Sequence, residues 1–212
     1  MNYLLLDITS PALRFPPAIL APSRTRFPFQ LAINVPDEAN LPQATLFQVV
    51  DICNITELLI TQLDNWEALH DPSSVSVDKL RNAANTGIIR NVDLDASDQP
   101  IQGPPKPSSS NNRTRTFKLT LQDTLGALCY GFEMEKLAFL AGQTMGSDFP
   151  ITLGAKLVVK SGTLMVKGVL FLTNASVEFL GGEIPALNVD LAKRQIERLK
   201  QEIQAEKNKT PS

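Results

Sequence analysis

Few side chains in this chain have the type and spacing to do chemistry. The single histidine, His70, ends the stretch "ITELLITQLDNWEALH". A cation there offsets the helix dipole, and a lone imidazole with no nucleophile or carboxylate beside it makes a poor general base. Cys53 and Cys129 each lie within apolar text. A thiol in such a setting behaves as a small buried hydrophobe, and the spacing supports neither a disulfide nor a zinc site. Glu133 and Glu135 stand two apart in "GFEMEKL", on one face if the strand continues. With nothing nearby to raise a carboxyl pKa, they are expected to be solvated sheet-face acids. The glycines of "VKSGT" and "LGGE" open no helix after a strand, and neither GxxxxGK[ST] nor GxSxG occurs; a phosphate cradle is therefore not expected. The expectation is a non-enzyme with no metal and no cofactor.

Binding chemistry is the alternative. Single strands are held by bases stacked on exposed aromatic rings, and the middle of the chain offers Phe117, Tyr130 and Phe132. Phe117 alternates with Leu119 and Leu121, however, and so should point inward, and basic residues beside the other two are sparse. A formal net charge of -2 and a pI near 5.5 also disfavour a chain that grips nucleic acid unaided, since such proteins carry a basic excess that releases phosphate counterions.

These residues must be positioned by a chain of 212 residues, 43% hydrophobic and 20% charged, enough for one sizeable core plus a tail or insertion. Residues 1–44 form a proline-rich N-terminal arm, expected to pack in extended form because each proline removes a donor and fixes its φ. "ATLFQVVDICN" reads as a strand and residues 55–70 as a short amphipathic helix. Residues 71–115 mix both charge signs and become dense in Pro, Ser and Asn, the composition of a long inserted loop. Within it "GIIRNVDL" plants Ile88, Ile89, Val92 and Leu94, apolar residues that want a partner surface.

After the loop, "TFKLTLQD" alternates with a period of two and forms a hairpin with "LGALCYGFEMEKLAFL". "AKLVVKSGTLMVKGVLFLTNASVEFLGGE" supplies three more short strands with turns at "SGT" and "TNAS". Short strands and glycine corners let a small sheet close on itself. The expected fold class is mainly β: a five-stranded OB-fold barrel over residues 45–190 with a long loop inserted between its first two strands. Short helices flank it, and a C-terminal helix begins the segment 191–212, fraying past Glu206. No apolar run approaches the roughly 20 residues of a membrane span, and an intracellular, soluble protein is expected.

Three segments carry a resemblance. "TFKLTLQDTLGALCYGFEMEKLAFL", "LGAKLVVK" and "GVLFLTNASVEFLGGEIPAL", taken in order, resemble the N-terminal OB domain of the RecQ-mediated genome instability protein 1 family. "LPQATLFQVVDICNI" resembles the family's first barrel strand, and "YLLLDITSP" a motif before it in fungal members. The likeness spans most of residues 42–190, and the closing "LGGE" segment is its most specific part. The room before the barrel suits a proline-rich arm rather than the helical bundle of other members, as in a short, yeast-like form or a sequence that lacks its start.

The resemblance implies a non-catalytic nuclear subunit that binds type IA topoisomerase III together with a Bloom-type RecQ helicase. It implies a role in double Holliday junction dissolution, homologous recombination, DNA repair and replication, with DNA touched weakly or through the complex and no membrane involved. It also implies that the inserted loop reaches the topoisomerase gate, with Ile88, Ile89, Arg90, Val92 and Leu94 as partner anchors. Arg81, Arg113 and Arg115 are then contacts to DNA or an acidic partner. Lys156 matches the family's strand-start lysine and is either an interface charge on the barrel or an ordinary wet-face lysine. Two other classes stay open: an autonomous single-stranded-DNA-binding OB protein, and an OB scaffold of telomere or translation machinery.

Overall fold

The computed structural model describes residues 2–11, 13–28, 37–71, 115–142, 144 and 146–209. The alternating text after the insertion folds as expected. β3 (Phe117–Asp123) buries every second residue from Phe117 onward and pairs antiparallel with β4 (Leu128–Glu133).

Eight strands are found where five are expected; the register accounts for two of the extra three, and the final strand is the third. β1 (Glu38–Asn40) runs antiparallel to β6 (Leu164–Val166), and β2 (Thr45–Asn54) to β5 (Lys156–Val159). One register holds from Glu38↔Val166 to Gln48↔Lys156, and bonds between Leu41 and residues 162 and 163 span the gap. Two bent stretches thus each count as two strands. β7 (Val169–Leu172) pairs antiparallel with β6 and parallel with β4. The sheet, in the order β1-β6-β7-β4-β3-β2-β5-β8, therefore curls back on itself, because its outer strand β1 leads directly into β2. β8 (Val177–Gly181) adds to β5 outside that ring. The chamber is filled by inward residues such as Phe47, Ile52, Leu119, Leu121, Leu157, Met165 and Leu170.

The arm is not wholly extended, which corrects the expectation from its prolines. Pro17–Arg24 form helix α1, with a proline at its first position, where the missing N–H removes no helical bond. The arm lies across the outside of β2 and β5. Ile8 and Ile19 pack on Leu46 and Val158 as a second small core. This second layer is why the first five residues of β2 and all four of β5 are buried, while β3 and β4 keep one wetter face.

α2 (Leu59–His70), a short α3 (Pro185–Asn188) and α4 (Leu191–Lys209) complete the fold. α4 buries Leu191, Ile196 and Leu199 at helical spacing and continues past Glu206. It lies against α2, where Lys200 Nζ meets Glu67 Oε1 at 2.8 Å. Trp66 of α2 sits edge-on to Phe149, with centroids 5.0 Å apart.

Candidate partner-binding site

The long insertion separates β2 from β3, which are neighbours in the sheet, so its roots must be held where those strands meet. β2 ends at Asn54, whose Oδ1 accepts from Thr56 N at 3.1 Å and whose Nδ2 donates to Glu57 Oε2 at 2.9 Å. Gln62 Nε2 then donates to the Asn54 and Glu57 carbonyls at 2.9 and 2.8 Å, tying the first turn of α2 to the strand end. The returning chain is clamped by Arg115. Its Nε donates to Glu57 Oε1 at 2.9 Å and its Nη1 to Asp148 Oδ1 at 2.8 Å. Lys136 Nζ donates to the Arg115 carbonyl and, at 3.1 Å, to Thr116 Oγ1. Ile55 N donates to Thr116 O at 2.9 Å. Burial pushes the Asp148 carboxyl above its ordinary range, with Arg115 opposing that shift. Beside this root Ile55, Leu58 and Ile60 are 45%, 74% and 61% exposed.

Several expected site residues fall elsewhere. Arg115 is not a free cation for DNA: its side chain is 10% exposed and holds two carboxylates. Ile88, Ile89, Arg90, Val92, Leu94, Arg81 and Arg113 lie outside the described residues. Glu133 and Glu135 are not a solvated pair on one face. Glu133 is buried and accepts from Phe117 N and Leu137 N at 3.0 and 3.1 Å. Glu135 lies past the strand and holds Asn174. His70 is exposed at the last position of α2. Both cysteines are free thiols, and burial pushes both above the ordinary thiol range, which leaves them poor nucleophiles.

Lys156 is the largest departure. It is 0% exposed and so is not a wet-face lysine, because the arm roofs β5. Its Nζ donates to Leu4 O at 3.0 Å, the same carbonyl that accepts from Glu183 N at 2.8 Å. Gly182 permits this approach: its φ is +88°, and a Cβ there would lie 2.3 Å from Leu4 O. Burial lowers the Lys156 pKa to about 8, although Asp7 and Glu183 pull it the other way.

Between that value and the ordinary lysine range the unfolded chain holds a proton that the folded chain has lost, so stability rises with pH across that window. Urea midpoints of the wild type should therefore rise from about pH 7.5 to about pH 10 relative to those of Lys156→Met. Parallel profiles for the two proteins would show that Lys156 titrates normally.

Phe171 has no place among the aromatics singled out in the sequence, yet its ring centroid lies 5.6 Å from that of Phe132. Its alternation in "VLFL" was the available signal. Next to them Lys118 Nζ sits 4.7 Å from the Tyr130 ring centroid, a cation–π distance.

Residues 25–195 match the family model described as "RMI1, N-terminal OB-fold domain". Over 152 residues the chain is 29% identical to the RecQ-mediated genome instability protein 1 of Saccharomyces cerevisiae, an alignment covering 65% of this chain and 58% of that protein. The chain thus spans less than two thirds of that relative's length.

Proposed function

The chain belongs to the RMI1 family through its N-terminal OB-fold domain, and on that premise we propose that it is a non-catalytic nuclear subunit that binds a type IA topoisomerase III. In this reading it works with a RecQ helicase and promotes double Holliday junction dissolution, which limits crossovers and preserves genome stability. The relative's printed name ties that protein to RecQ and to genome stability, which supports the class of process. One structural observation carries the mechanism: the insertion leaves and re-enters the barrel between β2 and β3 at roots fixed by Arg115, Glu57, Asp148 and Asn54.

In this reading the insertion passes its contacts to the barrel through those roots. If it touches the open topoisomerase gate more than the closed one, it shifts the gate equilibrium by that difference in binding free energy, with no chemistry of its own. The exposed Ile55, Leu58 and Ile60 then give the enzyme an apolar landing beside the root. In the same reading the apolar residues Ile88, Ile89, Val92 and Leu94, with Arg90, supply further anchors.

The test compares the intact chain with one whose residues 74–112 are replaced by a short Gly-Ser linker. Each is assayed for capture of purified topoisomerase III and for stimulation of double Holliday junction dissolution. The shortened chain should retain capture and lose most of the stimulation. Equal stimulation by both forms, or capture by neither, overturns the reading.

A further inference from the structure

The beginning of the arm is opposite in charge to the whole chain. Residues 2–28 carry Arg14, Arg24 and Arg26 against one acid, Asp7, in a chain whose formal net charge is -2. All three arginines are exposed, and among the described residues none of their guanidinium groups makes a hydrogen bond or ion pair. Two carboxylates bond to this part of the arm, and both are engaged. Asp7 accepts from Thr9 N and Gln48 Nε2, each at 2.9 Å. Asp123 is 0% exposed and accepts from Phe27 N at 2.8 Å.

Arg14 and Arg24 share a groove of about 430 Å³ with Leu13, Phe15, Leu20 and Ser23. One wall is residues 13–15 and the other is a flank of α1. That helix turns Ile19 and Ser23 inward, which leaves Leu20 and Arg24, one turn apart, side by side on the neighbouring flank. Leu20 is 36% exposed, and Leu13 and Phe15 are half-buried. Both walls are fixed to the barrel: Ile19, Leu13 and Phe15 belong to the small core on Leu46 and Val158, and Ser23 O accepts from Thr124 Oγ1 at 2.5 Å. Among the described residues no carboxylate lines the groove.

An apolar floor beside two free guanidinium groups selects its occupant by charge and by bulk. Arginine presents forked donors that match a carboxylate, and the leucines reward a bulky apolar anchor with burial. A nucleic-acid base finds little to stack on. Phe15 is the one ring in the lining, and it stands edge-on to Tyr3 with centroids 6.1 Å apart, whereas single-strand sites give successive bases open rings.

We propose that the arm groove docks an acidic peptide of a partner protein, with an apolar side chain seated on Leu13, Phe15 and Leu20 and carboxylates held by Arg14 and Arg24. Salt screens such exposed pairs, and the anchor supplies the affinity that persists at high salt. The groove leans on Thr124, just past the end of β3, whereas the insertion joins the start of that strand. Groove and insertion root are thus separate sites, and neither assignment depends on the other.

The test titrates the full chain into fluorescein-labelled peptides and follows anisotropy. One peptide alternates Asp and Glu with a Phe and a Leu, a second replaces both anchors by Ser, and a third keeps the anchors and replaces the acids by Asn and Gln. The first should bind at least about tenfold more tightly than either of the others. Arg14→Glu with Arg24→Glu should weaken it by about tenfold or more and Leu20→Ser by about threefold, while Arg14→Lys with Arg24→Lys should cost less than the charge reversal. Lys207→Glu with Lys209→Glu makes the same change of net charge at the exposed end of α4 and should leave affinity within about twofold. Thermal melting checks that each variant folds. Equal affinity for the Ser-anchored peptide, an equal loss in the Lys207 and Lys209 variant, or binding of none of the peptides overturns the proposal. So does tighter binding of oligo-dT than of the acidic peptide with the same loss in the Arg14 and Arg24 reversal, which assigns the groove to nucleic-acid phosphates.

Discussion

Arg115→Ala is expected to lower the folding free energy by about 3 kcal/mol, the low end for removing one member of a largely buried ion pair. The side chain is 10% exposed, and its partners Glu57 and Asp148 are 25% and 13% exposed. Truncation leaves two carboxylates facing each other's charge with little water to screen them. Two distant segments also lose a shared cation, since Glu57 precedes α2 and Asp148 lies beyond the 3-10 turn Ala138–Leu140 in the link to β5. In thermal unfolding the shift should be a drop of about 6–12 °C for a chain of this size. Arg115→Lys should recover part of it, because one ammonium cannot reproduce the two-armed geometry.

The functional consequence follows from where Arg115 sits. With the barrel still folded, Arg115→Ala should reduce dissolution stimulation more than topoisomerase capture, since the root of the insertion loosens while the landing beside it stays. Stability within about 0.5 kcal/mol of wild type would show that water already screens the cluster and that the root is not held there.

The second large effect is backbone-borne. Gly154→Ala should cost about 3 kcal/mol or more and is best read from urea midpoints. Gly154 has a φ of +86°, and a Cβ placed on it would lie 2.3 Å from Ile184 N and 2.6 Å from Ile184 Cβ. The obstacle is backbone, so no rotamer change relieves it. Nor can Ile184 retreat freely, since its N–H donates to Leu153 O at 3.0 Å. Gly154 N itself donates to Val49 O at 2.7 Å, and Val49 N to Ala155 O at 2.8 Å. The substitution thus strains the start of β5 and its pairing with β2 together. A variant that unfolds at the wild-type midpoint would mean that the segment around Ile184 moves aside at little cost.

Local pattern was enough to place much of this molecule. The two-residue alternation of Phe117–Asp123 and the helical spacing of Leu191, Ile196 and Leu199 each depend on near neighbours in the chain. They survive in the structure because packing agrees with propensity. The small β-barrel was legible for the same reason, in short strands ended by glycines. Its strand count was not, because a bend in a continuous ladder leaves no compositional mark.

What tertiary structure decided lies in contacts between residues far apart in sequence. "GAKLVVK" reads as half wet by its spacing, yet Lys156 is buried because residues 2–11 fold over its outer face. Arg115 looks like one more cation of a basic "RTRT", but carboxylates at positions 57 and 148 claim it. Glu133 is one of two acids two residues apart until two backbone N–H groups take its carboxylate inside. Sequence by itself determined the periodicities, the turns, the insertion and the family likeness, because those are local or cumulative signals. Which charges are spent inside the fold only the folded chain could decide, because burial depends on what a distant segment lays across each face.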